Sequence, residues 1–302
     1  MPGREDPWPD HCRRALVGAM LEAAELFPHS GEDRAERIHQ ARRALKRARS
    51  LVRLFASGGD LAVYDMISAL DTARRKVGQA RDLDVMPDVL KSLEGEVDAA
   101  TSQQLSSAIA FEREVAHIAH SDIDVASLAS QLRAEARLVE KWDIGRTTST
   151  SLLKALRSGY RSARRVGRRA FGDGGGDLHE LRIFAIDLDH QFAIFRPAWP
   201  AMFLAMSAEL RRLRQLLGEH NDLATLGEFA NSRHDISLAR MSDLALKIER
   251  RQSRLARRAK VSFARLFAER PGAMEKRLAS YLDNPKTRAK ALAASLPGEL
   301  KG

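Results

Sequence analysis

Apolar residues recur along this chain at intervals of three and four. Nowhere do Val, Ile, Thr and Tyr alternate with polar residues over the length of a strand, so the pattern predicts helices throughout and an all-α fold. The clearest stretch is Arg37 to Phe55, where Ala41, Leu45, Ala48, Val52 and Phe55 form one face of a helix. Further helical stretches run from Gln103 to His117 and from Ala245 to Phe267. In each half of the chain a long helix opens near a histidine, breaks at Asp60 or Pro200, and is followed by a second long helix and further helical segments. About four helices per half are expected.

The pattern is duplicated. Residues recur at a constant offset of 140 positions: His39 with His179, Arg42 with Arg182, Phe55 with Phe195, Leu70 with Leu210, Arg74 with Arg214, Gly78 with Gly218, Asp82 with Asp222 and Leu83 with Leu223. This register divides the chain into a flexible N-terminus (1–10), a first helical bundle (11–140), a connector (141–150), a second bundle (151–290) and a C-terminal tail (291–302). The Thr/Ser cluster after Gly145 marks the connector, and the glycines of 172–176 mark a loop just before His179.

Composition narrows the class. The 302 residues carry 50 Lys and Arg against 40 Asp and Glu, a formal net charge of +10, so the chain is patterned rather than uniformly cationic. Cys12 is the only cysteine, which excludes an intramolecular disulfide and a cysteine-based zinc cluster and fits a reducing compartment. No apolar run reaches the ~18 to 20 residues of a membrane span, and the proline-rich start has no apolar signal core. The cytoplasm is the expected location, with no membrane partner.

The cations have a geometry. Arg37 to Phe55 holds seven Lys or Arg and no acid. At 100° per residue His39, Arg42, Lys46, Arg49 and Arg53 fall in a sector of roughly 80°, a cationic row about 21 Å long opposite the apolar face. Arg43 belongs to the same run. A merely solvated helix mixes Glu with Lys at i,i+4 to relieve repulsion, so unrelieved like charge points to an anionic partner. Two later segments repeat the theme: Arg157, Arg161, Arg164, Arg165, Arg168 and Arg169 around Tyr160, and Arg250, Arg251, Arg254, Arg257, Arg258 and Lys260. Arginine predominates, and its planar fork takes two phosphate oxygens at once, so phosphate is the favoured anion.

His39 and His179, each followed three residues later by Arg42 or Arg182, are candidates to donate hydrogen bonds to phosphate, the alternative being a helix-start His bonded within the bundle. Asp82, Asp84 and Asp222 are read as carboxylates that orient arginines; the other reading, a metal site with the histidines, lacks the convergent spacing such a site needs. His234-Asp235 has no further His and Asp in a matching helical context, and His117 and His120 read as surface. No phosphate-binding P-loop, nucleophile elbow or HExxH helix occurs, so neither catalysis nor a cofactor nor a metal is expected.

Taken together, RIHQARRALKRARSLVRLF, VGQARDLDVM, LHELRI and LRRLRQLLGEHNDLATL resemble the CHAD domain, the conserved histidine α-helical domain; the segments RSGYRSARRVGRRAF and RRQSRLARRAKVSFARLFAERP are similar to its other basic helices. The resemblance covers roughly residues 11 to 290. It implies two pseudo-symmetric four-helix bundles, a basic central groove or cavity, binding of inorganic polyphosphate, and association with polyphosphate granules. Members often stand beside a CYTH-type triphosphate-tunnel domain, for which this chain has no room. With the basic runs read above, the candidate polyphosphate-binding residues are His39, Arg42, Arg43, Lys46, Arg49, Arg53, Arg74, Tyr160, Arg161, Arg164, Arg165, Arg168, His179, Arg182, Arg214, Arg254, Arg257 and Arg258. In the second half Ile186 and Asp189 replace the cations at Lys46 and Arg49, and Asp187 stands where Arg47 does, so a site weighted to the first half and to the Arg157 and Arg250 helices is expected. The competing classes are a general polyanion or nucleic-acid binder, whose cations would show the same salt dependence, and a metal-dependent phosphohydrolase.

Overall fold

The computed structural model describes residues 6–27, 34–58, 61–76, 81–119, 125–172, 177–233, 237–284 and 286–287. Among these, eleven α-helices form and no strand, the one bridge being the isolated pair Glu94 and Val97. The first half holds α1 (Trp8–Leu26), α2 (Arg34–Val52), α3 (Leu61–Lys76), α4 (Arg81–Lys91), α5 (Ala99–Ala119) and α6 (Val125–Glu140). The second holds α7 (Ser149–Ala170), α8 (Leu178–Ile194), α9 (Pro200–Asn231), α10 (Leu238–Leu266) and α11 (Pro271–Leu282). Short 3-10 segments, Arg53–Gly58 and Arg196–Ala198, follow α2 and α8. Each half thus has more helices than the four expected. The positions 140 residues beyond α3 and α4 lie in the single long helix α9.

Small residues set the central packing. Ala41, Ala44, Leu45, Ala48, Leu51 and Val52 of α2 are buried, and opposite them α1 contributes Cys12, Leu16, Met20 and Ala23. The alanines let the two backbones approach closely. α1 also packs on α6, while α7 packs on α8 and α11; α2 and α8 lie against each other, flanked by α3 and α9. Helix α1 starts earlier than the sequence suggests: Trp8, within the segment read as a flexible N-terminus, is fully buried against Phe195 because burying an indole outweighs fraying of the terminal turn. Thr148 caps α7 in a capping box with Ser151, and Asp177 caps α8 by accepting from the His179 backbone N–H; each such cap is worth about 1 kcal/mol.

Gly167 of α7 fixes the contact with α10. A Cβ at this position would overlap the ring of Phe263, so only glycine admits that ring where it lies. No helix among the described residues is long and apolar enough to cross a membrane.

Candidate functional site

The polar faces of α2 and α8 look onto two adjoining cavities. One, of about 650 Å³, is walled by Arg42, Lys46 and Arg49 of α2, Arg74 and Arg75 of α3, Val85 of α4, His179, Arg182, Ile183, Ile186 and Asp187 of α8, and Asn221, Asp222 and Thr225 of α9. The other, of about 610 Å³, is walled by His39, Arg43, Lys46 and Arg47 of α2, Arg182, Ile186, Asp189, His190 and Ala193 of α8, Arg196, and Leu204, Ser207, Arg211, Arg214 and Gln215 of α9. Lys46, Arg182 and Ile186 belong to both walls, so the cavities meet at these three residues.

The register of 140 relates the two linings. His39, Arg43, Lys46 and Arg47 wall one cavity, and their counterparts His179, Ile183, Ile186 and Asp187 wall the other. Arg42, Lys46, Arg49, Arg74 and Arg75 correspond in the same way to Arg182, Ile186, Asp189, Arg214 and Gln215. The two linings together contain eleven Lys or Arg and three Asp, so eight of the chain's ten net positive charges face this space.

The carboxylates are engaged by arginines. Asp71 of α3 lies 2.6 Å from Arg49 Nε and 3.7 Å from Arg74 Nε. In the second half the charges are exchanged between helices: Asp189 on α8 pairs with Arg214 on α9, and Arg211 stands where Asp71 does in the first half. The loss of a cation from Arg49 to Asp189 is therefore offset by the gain from Asp71 to Arg211. At this pair of positions α9 supplies what α8 does not, yet the lining stays weighted to the first half as expected, with seven Lys or Arg and no Asp against four Arg and three Asp from the second.

Asp187 is likewise taken. It pairs with Arg53 and accepts a hydrogen bond from Ser50 Oγ at 2.7 Å, while Gln191 Nε2 donates to the Ser50 carbonyl at 2.8 Å. His190 Nδ1 stands 3.1 Å from Ser50 Oγ; a protonated Nδ1 donating to this hydroxyl completes the chain to Asp187. Burial, reinforced by the charges of Arg214, Arg47, Lys46 and Arg43, pushes His190 down to about 3, so it is neutral near pH 7. Burial, with Arg53 beside it, also lowers the Arg49 guanidinium, against the opposing pull of Asp187 and Asp71. Burial is the larger cause of both shifts, and the neighbouring cations add to it.

Of the residues predicted from sequence, the structure gathers His39, Arg42, Arg43, Lys46, Arg49, Arg74, His179, Arg182, Arg214 and Asp222 around the two cavities. The histidines stand one at each, and His179 Nδ1 lies 2.8 Å from Asn221 Oδ1. Arg53 is instead engaged with Asp187. Tyr160 is corrected to a core residue: it is 1% exposed, and its hydroxyl reaches the carbonyls of Leu266 at 3.0 Å and Glu269 at 3.1 Å, so no ligand meets it. Burial pushes that phenol up to about 12.

Arg164 donates to the Phe267 carbonyl at 2.9 Å, while Arg161, Arg165, Arg168, Arg254, Arg257 and Arg258 are exposed elsewhere and line neither cavity. Asp84 is exposed and 3.4 Å from Arg113, an arginine that lines neither cavity; at the cavities it is Asp71, Asp187 and Asp189 that pair with arginines. The side chains of Asp82 and His117, and residues His120, His234 and Asp235, lie outside the described set. Sequence reasoning passed over Arg47, Arg75, Arg196, Arg211 and His190 as site residues. Reading Arg49 and Asp71 as a pair, rather than position by position, would have exposed the exchange with Asp189 and Arg211.

The family model described as the CHAD domain matches residues 14–231, from α1 to the end of α9, a shorter span than the 11 to 290 over which the motifs resemble it. No curated protein matches the chain.

Proposed function

We propose that this chain, which belongs to the CHAD-domain family, binds inorganic polyphosphate in the groove between α2 and α8 and does not break it down. The observation that carries this reading is the lining of the groove, eleven Lys or Arg with only three Asp, at least two of them engaged by arginines. The two halves are taken to be related by an approximate twofold axis between α2 and α8, which exchanges one cavity for the other and makes a path suited to a linear polyanion. Lys46 and Arg182 sit where the cavities meet and would hold phosphates at its midpoint. Arginine forks around the path favour phosphate oxygens over a single point anion.

Two features favour polyphosphate over the competing classes. Among the described residues no Phe, Tyr or Trp lines either cavity, so the groove lacks the large rings on which successive bases stack. Phosphoryl transfer generally uses a metal held by carboxylates beside the phosphate, whereas Asp187 and Asp189 are bound to Arg53 and Arg214. The test is binding of long-chain polyphosphate at near-physiological salt with DNA and heparin as competitors at equal phosphate or sulfate concentration. A wide preference for polyphosphate supports the reading. Equal displacement by all three would make this a general polyanion binder, and magnesium-dependent phosphate release by the pure protein would make it a hydrolase.

A further inference from the structure

Outside the groove, α7 and α10 carry a second concentration of cations. Helix α7 contains no acidic residue, and neither does α10 after Glu249. Packing sorts the α7 arginines into two sets. Arg157 turns toward α11, where its Nη1 lies 2.6 Å from Glu275, and Arg164 toward the Phe267 carbonyl. Arg161, Arg165 and Arg168, spaced at i, i+4 and i+7, are exposed on one face.

The contact between the helices extends that face. Tyr160 reaches the Leu266 carbonyl, Gly167 faces the Phe263 ring, and Lys260 Nζ donates to the Phe171 carbonyl at 3.0 Å. Residue numbers thus rise along α7 as they fall along α10, and α10 continues past the end of α7. Its exposed Arg257 and Arg254 prolong the row. At about 1.5 Å per residue the two segments, Arg161 to Arg168 and Lys260 to Arg254, span roughly 10 Å and 9 Å, with the junction between them. Among the described residues Arg161, Arg165, Arg168 and Arg257 have no carboxylate within ion-pair distance, and Arg254 has only Glu96 at 3.9 Å. None of these cations lines the groove.

We propose that this row is a second polyphosphate-binding surface, separate from the groove, so that one molecule holds two chains, or two segments of one chain, and cross-links the polymer. The proposal rests on the reading of the groove given above. A polymer already held there is presented to the row at the high effective concentration of a tethered second site, which selects the same ligand over a free competitor. The row has arginine forks and no exposed aromatic ring, so it contacts phosphate oxygens alone.

The test compares the wild type with a row variant (Arg161→Ala, Arg165→Ala, Arg168→Ala), a second row variant on α10 (Arg254→Ala, Arg257→Ala) and a groove variant (Lys46→Met, Arg182→Gln). Stoichiometry is measured with polyphosphate too short to span both surfaces, and assembly size with long chains by light scattering. The wild type is expected to bind two short chains and every variant fewer, with the row variants keeping the tighter site but losing the large assemblies. One short chain per wild-type molecule, or unchanged assembly in both row variants, would overturn the proposal while leaving the groove reading intact. A groove variant that binds like the wild type while the row variants bind nothing would instead refute the groove reading. Displacement of polyphosphate from the groove variant by an equal phosphate concentration of duplex DNA would show the row to be unselective and also overturn the proposal.

Discussion

Replacing Lys46 with Met tests the groove with the least disturbance, because methionine keeps most of the length of the side chain and removes only its charge. Lys46 is half-buried on α2 and belongs to both cavities, so its loss takes one cation from the middle of the path. A cation and a phosphate charge about 4 Å apart interact by ~1 kcal/mol in bulk water and ~4 kcal/mol at an effective dielectric of about 20. A half-buried site lies between these limits, so affinity should fall by about one to two orders of magnitude at about 1.4 kcal/mol per tenfold. One lost phosphate contact should also lower the dependence of log K on log salt by roughly 0.7. Fluorescence anisotropy of labelled polyphosphate across a salt series measures both. The control is Lys76→Met at the exposed end of α3, which removes the same charge outside the groove. Equal losses in the two variants, with unchanged helicity in both, would refute the groove in favour of net charge alone.

Tyr160→Phe should cost about 1 to 2 kcal/mol in chemical denaturation, because the Leu266 and Glu269 carbonyls lose a buried donor, yet leave polyphosphate affinity unchanged; a binding defect would restore Tyr160 to the site. His190 is held down to about 3 against an ordinary value of 6.5, so between pH 6.5 and 3 the unfolded chain binds a proton that the folded chain does not. Melting temperature should therefore fall as pH drops through that window, and His190→Gln should flatten part of the fall, the remainder including His11, whose imidazole burial also lowers. A slope identical in the variant would show that His190 takes no part. Gly167→Ala should destabilise the protein by about 1 to 3 kcal/mol, since its methyl would meet the Phe263 ring; a neutral result would mean that α7 and α10 separate at little cost.

Much of this was legible in the sequence because it depends on local periodicity. The buried face of α2 is the predicted set Ala41, Leu45, Ala48 and Val52, enlarged by Ala44 and Leu51, and the predicted Phe55 is buried in the 3-10 segment that follows. The groove cations Arg42, Lys46, Arg49 and Arg182 were visible as an unrelieved row and its repeat. What escaped depends on contacts between distant segments. Tyr160 looked like part of a basic surface because it sits among arginines in sequence, but it is buried, with Phe267 packed on its ring. Asp187 and Asp189 read as defects until Arg53 and Arg214 were seen beside them. The exposed α7 and α10 arginines, grouped by composition with the groove, line neither of its cavities, which only the placing of these helices in the fold reveals.

The most direct test of the central claim is a crystal structure of the protein with a medium-length polyphosphate. The account predicts a continuous string of phosphate density running between α2 and α8 through both cavities, with phosphate oxygens in hydrogen-bond contact with Lys46 and Arg182. An empty groove in a crystal whose polyphosphate lies elsewhere on the protein would contradict it.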